Sequence, residues 1–273
     1  MDKKCSIIIP TKDKNSRLYL TLKCLEPQIT EDVEVIIVFD GCTPETIEEF
    51  HNLHFSFHPI VIYQNPNVGR AAARNIGVSY SSGDVILFLD DDRLTTNNFI
   101  QKHMTYHEKE ACAVLGERFD LTYPEDEITS FLNESSLDQV MKKLKSRAHK
   151  EYYYQVKKFL FAKTPLSPLR YLAFVTGNMS LDAELFHKVG GFDSEYKGWG
   201  YEDTDLGYRL SHLNVKYYLD PSNPCYHILH KHEKKQKTLD ELKNNEYFRR
   251  KYPQDKALQR TLSIYAFKAK LHL

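Results

Sequence analysis

Over the first third of the chain, apolar residues come in short unbroken runs separated by polar turns. "SIIIP" (6–10), "VEVIIVF" (Val33–Phe39) and "VILFL" (Val85–Leu89) show no alternation, as expected of strands covered on both faces. "IVIY" (Ile60–Tyr63) is a shorter run of the same kind. Between these runs the period lengthens. "SRLYLTLKCL" sets Leu18, Leu22 and Leu25 on one helical face, and "TPETIEEF" offers Thr43 as N-cap with Pro44 at the first helical position. The alanine-rich "GRAAARNIGVSY" stops at Ser81-Ser82-Gly83. Strand and helix in alternation predict an α/β fold with a Rossmann-like, mostly parallel sheet flanked by helices. Such sheets bind ligands at the carboxyl ends of their strands. "PTKDK", "DGCTPET" and "DDDRL" fall at those ends, and all three are polar and turn-like.

The pattern changes from about residue 125 to 170, where "KKLKSRAHKEYYYQVKKFLF" reads as one or two amphipathic helices ended by Pro165 and Pro168. This helical insertion is either packed on the sheet edge or a lid on the acceptor side. "FVTGNMSLDAELFHKVGGFD" then resumes an alternating pattern, with a helix from Ala183 to Val189 stopped by Gly190-Gly191. "VKYYLD" (Val215–Asp220) reads as a late strand, and a basic helical tail follows Lys231. No repeat or low-complexity linker interrupts the chain, so a single domain over 1–273 is expected.

Composition narrows the classes. Lys plus Arg and Asp plus Glu each number 37 in 273 residues, so no net field draws the protein to nucleic acid. Cys5, Cys24, Cys42, Cys112 and Cys225 are scattered without CxxC spacing, which reads as reduced thiols in a cytoplasmic protein. The N-terminal apolar run ends at Pro10, too short for a signal peptide, and no stretch reaches membrane-spanning length. The tail "KALQRTLSIYAFKAKLHL" places Leu258, Leu262 and Tyr265 on one side, which suits either packing on its own domain or peripheral contact with the inner face of a membrane.

Four constellations carry chemistry. Asp90, Asp91 and Asp92 follow a buried strand directly; three carboxylates there are costly without a cation, and oxygen ligands suit Mg²⁺ or Mn²⁺ bridging to phosphates. The plain alternative is a solvated acidic turn. Arg70 and Arg74 stand four apart on a helix, facing phosphate or a base, or paired in surface salt bridges. "CYHILHKHE" carries His227, His230 and His232, a metal set once carboxylates join it. In "GWGYEDTDLGYRL", Trp199 sits between Gly198 and Gly200, ahead of Glu202, Asp203 and Asp205 at a helix start. Acids there complement the helix N-terminus, or one of them is a base beside a substrate.

These segments together resemble the family 2 glycosyltransferases of the GT-A fold, over roughly residues 5–120 and 173–232. "SIIIPTKD" resembles the family's first strand and nucleotide-facing turn, which implies Pro10, Thr11 and Asp13 at the nucleotide-sugar. "VIIVFDGCTPET" resembles the second strand and its acidic turn at Asp40, with Phe39 where the family more usually has another acid. "NVGRAAARNIGV" and "SGDVILFLDDD" match the family's helix and DxD motif, so Arg70, Arg74, Asp90 and Asp91 are expected on the nucleotide-sugar and Asp92 on the metal. "GGFDSEYKGWGYEDTDLGYRL" resembles the segment of animal β-galactosyltransferases and related polysaccharide-forming enzymes in which an acid of the Glu-Asp pair is the base. "PCYHILHKHEKK" resembles their metal-binding stretch, with the metal histidine at His230 and His227 as a second candidate.

The resemblance implies a metal-dependent inverting transfer from a UDP-sugar, with galactose or N-acetylgalactosamine favoured over glucose or N-acetylglucosamine. The acceptor would be a carbohydrate, lipid-linked or other hydroxyl. Asp203 would take the hydroxyl proton, Glu202 would bind acceptor or order the loop, Asp205 would support the helix start, and Trp199 would offer a flat face to a sugar. The implied division is a nucleotide-sugar half (1–120), the insertion (121–172), an acceptor and catalytic half (173–232) and the tail (233–273). Two rival readings keep the fold: a nucleotidyltransferase-like enzyme, and a non-catalytic carbohydrate-binding subunit.

Overall fold

A computed structural model describes residues 4–150, 154–162, 167–230 and 234–270. His232 and Pro165 lie outside the described residues. The strands are β1 (Cys5–Thr11), β2 (Val33–Asp40), β3 (Ile60–Gln64), β4 (Val85–Leu89), β5 (Arg93–Thr95), β6 (Cys112–Leu121), β7 (Ala148–Lys150), β8 (Asn178–Asp182) and β9 (Lys216–Ile228). The helices of the first half are α1 (Asn15–Leu25), α2 (Pro44–His51), α3 (Arg70–Ser79) and α4 (Phe99–His107). The second half adds α5 (Glu125–Glu134), α6 (Leu137–Lys145), α7 (Tyr154–Phe161), α8 (Ala183–Lys188), α9 (Glu202–Ser211), α10 (Lys234–Lys251) and α11 (Lys256–Lys270).

One mixed sheet runs β3-β2-β1-β4-β8-β6-β9-β5, with β7 paired to β6. Strands β1 to β4 are mutually parallel, and β8 enters antiparallel to both β4 and β6. The unbroken apolar runs are explained by burial on two faces. Ile7, Ile9, Val35, Ile37, Leu87 and Leu89 pack under α1 and α4 with Leu18, Leu22 and Phe99. Ile8, Ile36, Val38, Ile86 and Phe88 face α3, α9, Phe186 and Phe192 on the other side. Thr43 caps α2 as expected, its hydroxyl accepting from Thr46 N–H at 3.3 Å.

The second half departs from the sequence reading in three places. Strand β6, with Glu117 and Arg118 in mid-strand, is a central element that the polar interruption concealed. The late strand does not stop at Asp220 but continues to Ile228, because its pairing with β6 jumps from Gly116↔Asp220 to Glu117↔Pro224 and so loops out the intervening residues. The apolar side of α11 is not free for a membrane: Leu258 and Leu262 are fully buried with Tyr208 and Phe248, and Tyr265 packs against the same cluster. Those three residues complete the domain's own core and do not form the membrane face that is the alternative expectation, while Ile264 and Phe267 of the same helix stay exposed. Among the described residues, no helix is long and apolar enough to cross a membrane.

Candidate active site

The three polar turns at the strand ends are tied to one another. Thr11 Oγ1 donates to Asp91 Oδ2 at 2.7 Å, and Asp13 Oδ1 accepts from Thr43 N at 2.9 Å. Pro10, half-buried, precedes this knot at the end of β1. Asp40 is buried and organises the loop that leads into α3: it accepts from Asn67 Nδ2 and Val68 N at 2.7 Å and from Gly69 N at 2.9 Å. Both its oxygens are engaged in holding the start of α3, and with it Arg70 and Arg74.

Arg74 joins the two halves of the site. Its guanidinium, 3 % exposed, donates to Asp90 Oδ1 at 2.9 Å and to Glu202 Oε1 at 3.1 Å. The aspartate triplet and the Trp199-flanked acids therefore lie against one buried cation, although more than a hundred residues separate them. Arg70, the more open arginine of the pair, stands 4.0 Å from the same Glu202 oxygen. Asp90 is completed from the other side by Arg93 Nη2 at 2.8 Å, and Gly177 (φ +103°) packs so closely on it that a Cβ would fall on its carboxylate. Arg93 was not anticipated from the sequence; a basic residue directly after three acids was the available signal.

The three aspartates have separate fates. Burial raises Asp90, but Arg93 and Arg74 outweigh it and hold its carboxyl well below the usual range. Burial, with repulsion from Asp92 and Asp90, pushes Asp91 up to about 6 against the pull of Lys14 and Thr11. For Asp92, burial is overcome by Arg93 and His227, which leave it strongly acidic.

Asp92, His227 and His230 bring their ligand atoms within 4.8 Å of one another. His227 Nε2 lies 3.4 Å and His230 Nδ1 3.6 Å from Asp92 Oδ2, whereas Arg93 Nε lies 3.5 Å away on the Oδ1 side. His227 turns its other nitrogen to Asp120 Oδ1 at 2.9 Å, the carboxylate support that orients a metal-binding imidazole. Burial lowers the His230 pKa and so favours the neutral ring that a metal requires. Asp92 Oδ1 is buried and makes no hydrogen bond, because the approach of Arg93 Nε is too long and poorly aimed to be one. One carboxylate oxygen, Asp92 Oδ2, and two imidazoles converging on it fit a divalent cation with mixed O and N ligands. Asp120 escaped the sequence reading because it lies in the unrecognised strand β6.

At the start of α9, Glu202 is buried on Arg74, while Asp203 is half-buried and accepts from Thr204 N at 2.8 Å and Thr176 N at 3.3 Å. Burial, then the neighbouring Glu202 charge, raise Asp203 to about 7 despite Arg74 and the two N–H groups. Asp205 is fully buried and bound by Arg209 Nε at 2.8 Å, Tyr252 OH at 3.0 Å and Lys251 Nζ at 3.1 Å. The three acids are thus divided between Arg74, a raised pKa and the C-terminal helices. Gly198 (φ +71°), Gly200 (φ +95°) and Tyr201 (φ +75°) turn the chain through left-handed backbone just before them. Trp199 is half-buried, with Lys237 Nζ 3.7 Å from its ring centroid.

The Glycosyl transferase family 2 profile matches residues 6–167, and one described as the N-terminal domain of galactosyltransferase matches residues 158–231. The chain belongs to glycosyl transferase family 2. Validoxylamine A glucosyltransferase of Streptomyces hygroscopicus subsp. limoneus is 32 % identical over 214 residues, which is 75 % of this chain and 47 % of that protein. The chain thus spans about half the length of that relative. Among solved structures, the mannosyltransferase PcManGT of Pyrobaculum calidifontis in complex with GDP-Man and Mn²⁺ aligns at TM-score 0.63 and 14 % identity, covering 98 % of this chain and 70 % of that one. GalNAc-T7 with UDP, GalNAc and Mn²⁺ aligns at TM-score 0.61 and 15 % identity, over 83 % of this chain and 44 % of the other. The fold is that of the GT-A glycosyltransferases.

Proposed function

We propose that this family 2 glycosyltransferase moves a hexose from a UDP-sugar to an acceptor hydroxyl with inversion, assisted by Mn²⁺ or Mg²⁺. The observation that carries this reading is the Arg74 bridge, which brings Asp90 of the aspartate triplet and Glu202 of the Trp199-flanked acids onto one buried guanidinium. The similarity of residues 158–231 to a galactosyltransferase domain favours galactose or N-acetylgalactosamine over glucose or N-acetylglucosamine. Solved relatives holding Mn²⁺ with UDP or GDP-Man support a nucleotide-sugar donor and a divalent cation.

In the reaction, Asp203 takes the acceptor proton while that oxygen attacks the anomeric carbon, and the bond to the diphosphate breaks on the opposite face. A carboxylate raised to about 7 is a far better base than an ordinary one, yet is still about half ionised at neutrality. Glu202, fixed by Arg74, keeps Asp203 raised and the loop in place. Asp92, His227 and His230 would hold the cation, which supplies charge neutralisation for the departing diphosphate. Arg70, with its side chain 43 % exposed, is the arginine free to meet donor phosphates, whereas Arg74 acts from beneath. Pro10, Thr11, Asp13, Asp40, Asp90 and Asp91 shape the donor wall, and Trp199 with Gly198 and Gly200 the acceptor wall. Residues 1–120 and 173–232 are then the donor and acceptor halves, 121–172 the insertion and 233–273 the tail.

Incubation with Mn²⁺ and a panel of nucleotide sugars tests this reading. Slow release of nucleotide from a UDP-sugar is the expected result. Pyrophosphate-dependent exchange would indicate a nucleotidyltransferase instead, and silence from every donor would indicate a carbohydrate-binding subunit.

A further inference from the structure

Both family matches end by residue 231, yet one face of α10, which begins at Lys234, is devoted to the Trp199 loop. Lys237, Asp240, Asn244 and Lys251 recur along it at helical spacing. Lys237 covers the Trp199 ring, and Asp240 closes on Gly198, where a Cβ would fall on its carboxylate. The Asn244 amide nitrogen lies 2.9 Å from Lys197 O, 3.2 Å from Trp199 O and 2.9 Å from Gly200 O. Lys251 ends the stripe on Asp193 at 2.6 Å and on Asp205 at 3.1 Å. All three carbonyls belong to the turn before α9, whose backbone is left-handed at Gly198, Gly200 and Tyr201, and Asn244 supplies donors to them from α10.

We propose that Asn244 is a positioning residue for the transfer reaction. Its two amide protons, shared among three loop carbonyls, fix the Trp199 turn and thereby set where α9 begins and where Asp203 stands. The catalytic part of this role rests on the transferase reading above; the latch itself does not. Asn244 touches neither donor nor acceptor and acts only through the loop.

Trp199 is the only tryptophan of the chain, so its emission reports this loop alone. Asn244→Ala removes the latch, and Asn244→Ser keeps a single donor should the alanine variant fail to fold. Acrylamide quenching of Trp199 should rise roughly two-fold in Asn244→Ala, and kcat should fall about 10- to 100-fold with donor KM and nucleotide affinity held, the cost expected of misplaced reacting groups. Asn244→Ser should recover part of both. Quenching that rises while kcat stays at the wild-type value would overturn the positioning role, as would no change in either. A wild-type chain that transfers no sugar from any donor would instead remove the transferase reading before any variant is compared, and quenching would still decide whether the latch exists.

Discussion

Arg74 is the side chain on which the site's electrostatics turn. A guanidinium buried between two carboxylates keeps its charge, and both acids lose their counter-ion if it is removed. Arg74→Ala should cost about 3–5 kcal/mol and lower the melting temperature by roughly 10 °C in scanning calorimetry. Arg74→Lys should recover only part, since an ammonium cannot fork to Asp90 and Glu202 together. Asp203 yields a prediction of sign. A base raised to about 7 must lose its proton to act, so kcat/KM should climb with pH through about 7 and level off above it. Removing the neighbouring charge in Glu202→Gln should move that limb to lower pH. A limb that stays in place would show that Glu202 does not set the base.

At the scale of elements, β1, β2 and β4 were legible because two-sided burial leaves an unbroken apolar run, and α2 because its cap and proline mark its start. Strand β6 was not, since Gly116, Glu117 and Arg118 interrupt its apolar run at the register shift with β9. Strand β9 was cut short for a related reason: Pro221 and Pro224 end a strand in sequence, whereas here Pro221 is looped out and Pro224 resumes an irregular pairing. Helix α4 is tied to β8 by a buried polar chain that no periodicity announces. Asn178 Nδ2 is committed to two carbonyls, so its Oδ1 must accept from His103 Nε2–H at 2.9 Å. His103 Nδ1 then accepts from Ser180, and His107 spans Ser180 Oγ and Asp182 Oδ2, each at 2.7 Å. Burial lowers His103 to about 4. Between about 4 and 6.5 the unfolded chain binds a proton there that the native chain does not, so this histidine costs stability as pH falls through that window, by up to a few kcal/mol. Asp91 and Asp203, raised in the native state, contribute with the opposite sign. The test is therefore the difference between wild type and His103→Gln in urea unfolding at pH 7.5 and pH 5. The wild type should lose more stability on acidification than the variant, and equal losses would contradict the buried neutral imidazole.

Across the whole molecule, the candidate site is assembled from three distant stretches: the knotted strand ends of the first half, the Trp199 turn with α9, and the histidines at the end of β9 and just beyond it. The acids and histidines could be picked out by residue type, since carboxylates and imidazoles at strand ends are costly unless used. Their mutual support could not, because Arg93, Asp120 and Asn244 act through contacts that only the folded chain creates. The tail was open to packing on its own domain or to a membrane contact; Leu258, Leu262 and Tyr265 pack around Phe248, and α10 holds the Trp199 loop. Because Leu258 and Leu262 sit in the core around Phe248, Leu262→Ala should lower the melting temperature by several degrees in scanning calorimetry, and an unchanged melting temperature would contradict the inward packing of α11. The account as a whole is tested most directly by measuring Mn²⁺-dependent sugar transfer and nucleotide binding on the same preparations of wild type and Asp203→Asn. The variant should bind nucleotide as the wild type does while its turnover falls by about 10³-fold. Turnover equal to the wild type would contradict the account.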